Sequence, residues 1–284
     1  MKIGIIGTTG LVGSHLMRLL SAKHELFTPQ HVALDITDTA DVQAWCRCVQ
    51  PELVINCSTI DVDRCEREPQ LAEALNVTGP QALALVAHEV GASVLHFSTN
   101  YVFGGERHGH IYTQADAAEA INVYGRTKRV GEAAVLAANP HSYVIRTSWV
   151  FGTGKESFLS TVPRKLRAGE GIRAITDVWA SATYVNDLVA RTQEILARQR
   201  YGLYHVVNAG VLSYADFADE AARLCNADAN LIERVSESDA QRLAARPRYT
   251  PMACALSAEL GLPPLRDWRA ALAAYVESGA GFSL

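Results

Sequence analysis

The sequence has no apolar run long enough to span a bilayer, which takes about twenty consecutive apolar residues. It has no basic block and no acidic tail, and its formal net charge is −4. That balance argues against nucleic acid as the main partner. The N-terminus, MKIGIIGTTG, lacks the apolar core and small-residue cleavage site of a secretory leader. No C-x-x-C pair occurs among the six cysteines, Cys46, Cys48, Cys57, Cys65, Cys225 and Cys254. They read as reduced thiols of a cytoplasmic protein. With no paired ligand cluster, no metal is expected. Repeats and low-complexity linkers are missing as well.

What is present is an ordinary globular composition, 49% hydrophobic and 20% charged over 284 residues. That is enough to bury a core without a metal or disulfide. The first half alternates short apolar runs with helical patterns. KIGIIG, HELFT, ELVINCS, SVLHFST and YVIRTS read as strands. Asp38 can cap a helix running to about Gln50, and a helix from about Leu71 to Glu89 has Gly91 as its stop signal. Strands alternating with helices mean βαβ units and a parallel sheet. After Ser148 the pattern loosens. GTGKES is a glycine-bearing loop, GIRAI and GLYHVV are short strands, and a last helix starts at about Asp267. VNDLVARTQEILARQ reads as an amphipathic helix capped by Asn186 or Asp187. The expectation is an α/β fold. A dinucleotide-binding domain spans 1–150, a helix at about 185–199 returns to it, and 151–284 is mostly a smaller substrate-binding lobe.

The loop GTTGLVG sets Gly7, Gly10 and Gly13 directly after a strand and at the start of a helix. A tight turn needs the first, close approach of a phosphate the second, and close helix–strand packing the third. A pyrophosphate would lie on the free N–H groups of the helix start. Farther on, INVYGRTKRV holds Tyr124 and Lys128 four apart, on one helix face. Taken alone, that pair reads more readily as a solvated helix surface.

The G-x-x-G-x-x-G spacing resembles the extended short-chain dehydrogenase/reductase superfamily. STNYVFGG, INVYGRTK, VIRTSWVFG, ALDITD and ARP near Arg246 follow the order seen in dTDP-4-dehydrorhamnose reductases. The resemblance covers nearly the whole chain. It implies a Rossmann-type doubly wound sheet and reduction of a nucleotide-linked 4-keto-6-deoxy sugar in rhamnose biosynthesis. It implies Thr99, Tyr124 and Lys128 as the catalytic set, with Tyr124 as proton donor. The Lys128 ammonium is expected to bring the phenol's pKa down toward working pH, and Lys128 to bond the nicotinamide ribose as well. Gly7, Thr9, Gly10, Leu11, Val12, Asp35, Ile36, Cys57, Ser58 and Thr59 are expected along the cofactor, with Asp35 at the adenine. Val62, Thr99, Asn100, Trp149, Thr183 and Arg246 are expected around the substrate, with Arg246 either at the diphosphate or in a surface ion pair. Asn76 is either a helix-stabilising residue or a cofactor contact.

An acid at the end of the second strand would select NAD. Thr28, Pro29, Gln30 and His31 stand there instead, which points to NADPH, with NADH as the alternative. Three departures from the family pattern fall where the sugar is expected. Asn100 stands for the usual Asp, Ala182-Thr183 for Pro-Thr, and the loop after Asn56 is one residue shorter. An epimerase or dehydratase of the superfamily is one rival. A non-catalytic NADP-binding regulatory subunit like the β subunit of methionine adenosyltransferase is another. A homodimer is the base-rate expectation.

Overall fold

The computed structural model describes residues 1–279. The apolar runs of the first half become β1 (Lys2–Ile6), β2 (Glu25–Phe27), β3 (Leu53–Asn56), β4 (Ser93–Thr99) and β5 (Ser142–Thr147). Central runs such as β3 are buried on both faces, as a parallel sheet covered by helices requires. The sheet has six strands, in the order Gly202–His205, β5, β4, β3, β1, β2, and every pair is parallel. The order reverses beside β1, so a crevice opens past its C-terminal end.

Helices α1 (Leu11–Leu20) and α2 (Thr39–Val49) follow β1 and β2. Asp38 caps α2 by accepting from the Ala40 and Asp41 N–H groups. After β3 come α3 (Val62–Arg67), α4 (Pro69–Glu73) and α5 (Gly79–Glu89), and α6 (Val123–Ala138) leads into β5. The helix expected from Leu71 to Glu89 is interrupted. Residues Ala74–Thr78 form a π turn, which carries Asn76 against α6. Beyond β5 lie α7 (Phe158–Arg167), α8 (Val185–Arg198), α9 (Tyr214–Cys225), α10 (Ala255–Glu259) and α11 (Trp268–Glu277).

Two expectations need correction. The N-cap of α8 is Tyr184, with no side-chain cap. Asn186 instead donates to the Tyr184 hydroxyl, and Asp187 accepts both Asn208 and the fork of Arg266. The helix expected to return, α8, packs on α1, but the boundary at residue 150 also leaves out a strand, because Gly202–His205 is the sixth of the sheet. The remainder forms small sheets, such as Ile172–Ile175 with Ile232–Val235, and Trp179–Ala180 between Leu212–Ser213 and Tyr249–Thr250.

Strand side chains alternate between two cores. Ile3, Ile5, Ile55, Leu95 and Ile145 face one, with α1 and α8. Ile6, Val54, Val94 and Val144 face the other, with α2 and α5. By the same parity Asn56, His96, Ser98 and Arg146 point to the second face, where α6 lies. Register pairs Asn56 with His96 and Ser98 with Arg146. Among the described residues the cysteines are free, no acidic, His or Cys group could hold a metal ion, and no helix is long and apolar enough to cross a membrane.

Candidate active site

The turn after β1 opens a groove of about 520 Å³. Gly7 has φ +83°, and a Cβ there would meet the Cys57 backbone. A side chain would therefore wedge β1 away from β3 and fill the cradle. Gly10 is the N-cap of α1 with no side-chain cap, so the first N–H groups of α1 have no capping side chain. Of the expected cofactor residues, Gly7, Thr9, Gly10, Asp35, Ile36, Cys57, Ser58 and Thr59 line this groove. Leu11 is packed in the core and Val12 against it, and neither lines the groove. Pro29, Gln30 and His31 also line the groove, so no carboxylate meets a ligand at the end of β2. Asp35 accepts the Thr37 N–H and hydroxyl, and these bonds hold its carboxyl below the usual range.

At the far end of the groove, α6 begins with Asn122 as N-cap, its Oδ1 accepting the Gly125 N–H. That cap fixes Tyr124 half-buried in the first turn. Burial pushes its hydroxyl up, against smaller opposing effects from the Thr59 and Thr99 hydroxyls that bond it. The Tyr101 ring meets Tyr124 edge-on at 5.9 Å between centroids.

The expected lowering of Tyr124 by Lys128 is not found. Lys128 is 2% exposed and turned to β4, where its Nζ donates to the Phe97 carbonyl and sits 3.2 Å from His96 Nε2. Desolvation dominates both groups. Burial brings the Lys128 ammonium down to about 8, although Glu132 on the next turn favours the charge.

The family model for the RmlD substrate binding domain matches residues 1–280. The chain belongs to the RmlD substrate-binding-domain family. It is similar to the dTDP-4-dehydrorhamnose reductase of Mycolicibacterium smegmatis, 39% identical over 95% of this chain and 84% of that one. It is 30% identical to the dTDP-4-keto-6-deoxy-D-glucose reductase of Streptomyces niveus, over 94% of each. The dTDP-4-dehydrorhamnose reductase of Bacillus anthracis, solved in complex with NADP, superposes with a TM-score of 0.92 at 29% identity, covering 98% of this chain and 99% of that one.

In this RmlD-family chain the expected substrate residues divide. Val62 opens α3 and is partly exposed. Trp149 has φ +39°, unusual for a bulky residue, and stacks on Tyr214 at 4.0 Å between centroids. Thr183 is sealed: its hydroxyl donates to the Ser148 carbonyl and accepts from Thr147. The structure therefore places it beneath Trp149 and does not open it to a ligand. Asn100 is 2% exposed; it donates to the Thr250 hydroxyl and accepts from Thr99. It joins β4 to the second lobe and does not face the groove. Arg246 forms a bidentate pair with Asp63 and also donates to the Ala244 carbonyl. This pair is largely buried, not a surface one, and it leaves no free fork for a diphosphate. Asn76 donates to the Thr127 hydroxyl, so its contact is with α6. Sequence reasoning missed Tyr101 and Arg242. The Arg242 guanidinium lies 5.9 Å from the Tyr214 ring and 3.5 Å from Glu237. No motif flags it, because its place depends on the fold of the 237–250 segment.

Proposed function

We propose that this protein is an NADPH-dependent reductase of a nucleotide-linked 4-keto-6-deoxy sugar, acting in deoxysugar biosynthesis. The observation that carries this reading is the meeting of the Tyr124, Thr59 and Thr99 hydroxyls, with Thr59 on the wall of the glycine-turned groove after β1. A bound nicotinamide supplies the hydride for the sugar C4. The groove suits such a cofactor, with its glycine cradle, uncapped helix start and absence of an acid after β2. Its adenosine end would be held by Asp35 and the Pro29–His31 turn, and its phosphates by the turn from Gly7 to Val12.

The protein's own task is orientation and a proton. A phenol whose pKa is raised by burial is protonated at neutral pH, which is the form a proton donor requires. Tyr124 gives its proton to the C4 oxygen, and Thr99 holds that oxygen in place. Trp149 and Tyr214 form an aromatic wall for the sugar. The reduction is tested by loss of reduced-nicotinamide absorbance with the 4-keto-6-deoxy sugar nucleotide, wild type beside Tyr124→Phe. Losing the general acid should slow turnover roughly 10²–10⁴-fold. Tight NADPH binding with no turnover on dTDP-, UDP- or GDP-linked keto sugars would instead favour a non-catalytic, partner-bound subunit.

A further inference from the structure

The polar row behind Tyr124 fixes hydrogen positions that its heavy atoms do not state directly. The Ser58 backbone N–H can only donate, and it donates to Asn56 Oδ1 at 3.0 Å. The Ser58 hydroxyl donates to the same oxygen. The Asn56 amide nitrogen is thereby turned to His96, 3.2 Å from Nδ1. An amide nitrogen only donates, so Nδ1 accepts. His96 is 1% exposed, and its burial disfavours the charged form. A neutral imidazole that accepts at Nδ1 carries its proton on Nε2. That N–H points at Lys128 Nζ, 3.2 Å away. An ammonium has no lone pair to receive it; an amine has one. The amine also keeps a hydrogen for the Phe97 carbonyl.

We propose that His96 is a positioning residue whose Nε2–H favours the amine form of Lys128 in the free enzyme, lowering the proton affinity of Nζ. Charging Lys128 then requires the imidazole to change sides. The Nε2 proton passes to Nζ, and one solvent proton replaces it at Nδ1, where it opposes the Asn56 amide. The net change is uptake of one proton, with no oxidation or reduction. Other titratable groups face Lys128 from the surrounding elements. They are Glu132 on α6, held by Arg146 of β5, Cys57 after β3 and Cys65 of α3. Burial first keeps both thiols neutral, Cys57 pushed up to about 12 and Cys65 to about 11. Tyr124, one turn earlier, is likewise kept neutral, chiefly by burial. Among the described residues, only His96 directs a donor at Nζ through a hydrogen-bond chain that fixes its polarity.

The test reads the tautomer directly. In ¹⁵N NMR of the intact protein at a pH above the Lys128 midpoint, the His96 signals are those absent from His96→Gln. They should be pyrrole-like at Nε2 and pyridine-like at Nδ1; the reverse assignment overturns the proposal. Asn56→Asp gives Nδ1–H an acceptor and should reverse the tautomer, and an unchanged pattern counts against the chain. The sequence has five lysines, Lys2, Lys23, Lys128, Lys155 and Lys165, so ¹³Cε-labelled lysine isolates the titration of Lys128. Its proton affinity should rise at least tenfold in His96→Gln, and an unmoved midpoint overturns the assignment. The consequence for turnover rests on the reductase reading. The basic limb of kcat/KM should move upward in pH in His96→Gln. If both NMR results hold while turnover is absent, the reductase reading fails alone.

Discussion

Replacing Glu132 with Gln tests how much of the fold depends on one buried charge pair. Arg146 Nη2 lies 2.6 Å from Glu132 Oε2 and Arg146 Nε 2.8 Å from Oε1, a bidentate pair with both side chains 6% exposed. Ser98 donates to the same carboxylate, so β4, β5 and α6 meet at this point. A surface pair of this kind contributes about 0–1 kcal/mol. A buried one behaves differently, because removing one partner strands the other charge, at about 3–5 kcal/mol. The contacts left to the guanidinium cannot neutralise it. They are His205 Nε2 at 3.4 Å and the Phe103 ring at 5.1 Å, the latter a cation–π contact of about 1 kcal/mol that exists already. At about 2 °C per kcal/mol for a chain of this size, Glu132→Gln should lower Tm by roughly 6–10 °C. Removing both charges with Glu132→Met and Arg146→Met should cost less than the single change, since no charge is stranded. Circular-dichroism melts of the three proteins decide the matter. A single-variant loss under about 1 kcal/mol, or a double variant worse than the single, would refute the buried-charge reasoning.

Burial, then the Arg146 guanidinium, hold His205 down to about 3 from an ordinary 6.5. Below pH 6.5 the unfolded chain takes up a proton that the folded chain refuses, so stability falls as pH drops, by about 1.4 kcal/mol per unit. Urea midpoints between pH 6.5 and 4.5 should show at least this slope, since buried His96 adds to it, and His205→Gln should reduce it by about one proton's worth; equal slopes would contradict the assignment. A Cβ at Gly131 would overlap the Asn76 carbonyl. Gly131→Ala should therefore push α6 off the π turn, lowering both Tm and turnover, and full activity would show that the close approach is dispensable. Gln30→Asp puts a carboxylate on the groove wall at the end of β2. Fluorescence titration should show NADPH affinity falling at least about tenfold relative to NADH; an unchanged ratio would place the adenosine ribose elsewhere.

The parallel sheet was legible because short apolar runs and period-3.6 patterns alternate cleanly through β5. The glycine turn was legible because its φ and close contacts leave few alternatives to Gly. Tyr124 and Lys128 were legible as a pair. The direction in which Lys128 points was not, because it depends on His96 and Phe97, which strand register brings beneath α6. A trace of that arrangement is nevertheless in the sequence. Asn56, His96, Ser98 and Arg146 are polar residues at strand positions whose neighbours must be buried, and such residues need partners on a facing element. The second lobe was harder. Its strands are two to four residues long, and Arg246 and Asp63 lie 183 positions apart.

Asn100 shows what burial does to an inference from residue identity. The resemblance read from the sequence implies Asp at this position, and residue identity alone leaves a changed substrate and neutral drift equally open. The structure instead turns Asn100 to Thr250, with its amide nitrogen 2.7 Å from the hydroxyl and its oxygen facing Thr99. Hydroxyls rotate to donate or accept, so an Asp here could accept from both threonines in the same place. Burying its charge with two neutral donors costs more than burying the amide, by about 1–2 kcal/mol. Asn100→Asp should therefore lower Tm by roughly 2–4 °C at neutral pH. It should leave the ratio of kcat/KM between two 4-keto sugar nucleotides within about threefold, since a factor of ten requires about 1.4 kcal/mol of differential contact. A preference that swings tenfold or more would mean that this side chain touches the sugar, and that the join between β4 and the second lobe opens when substrate binds.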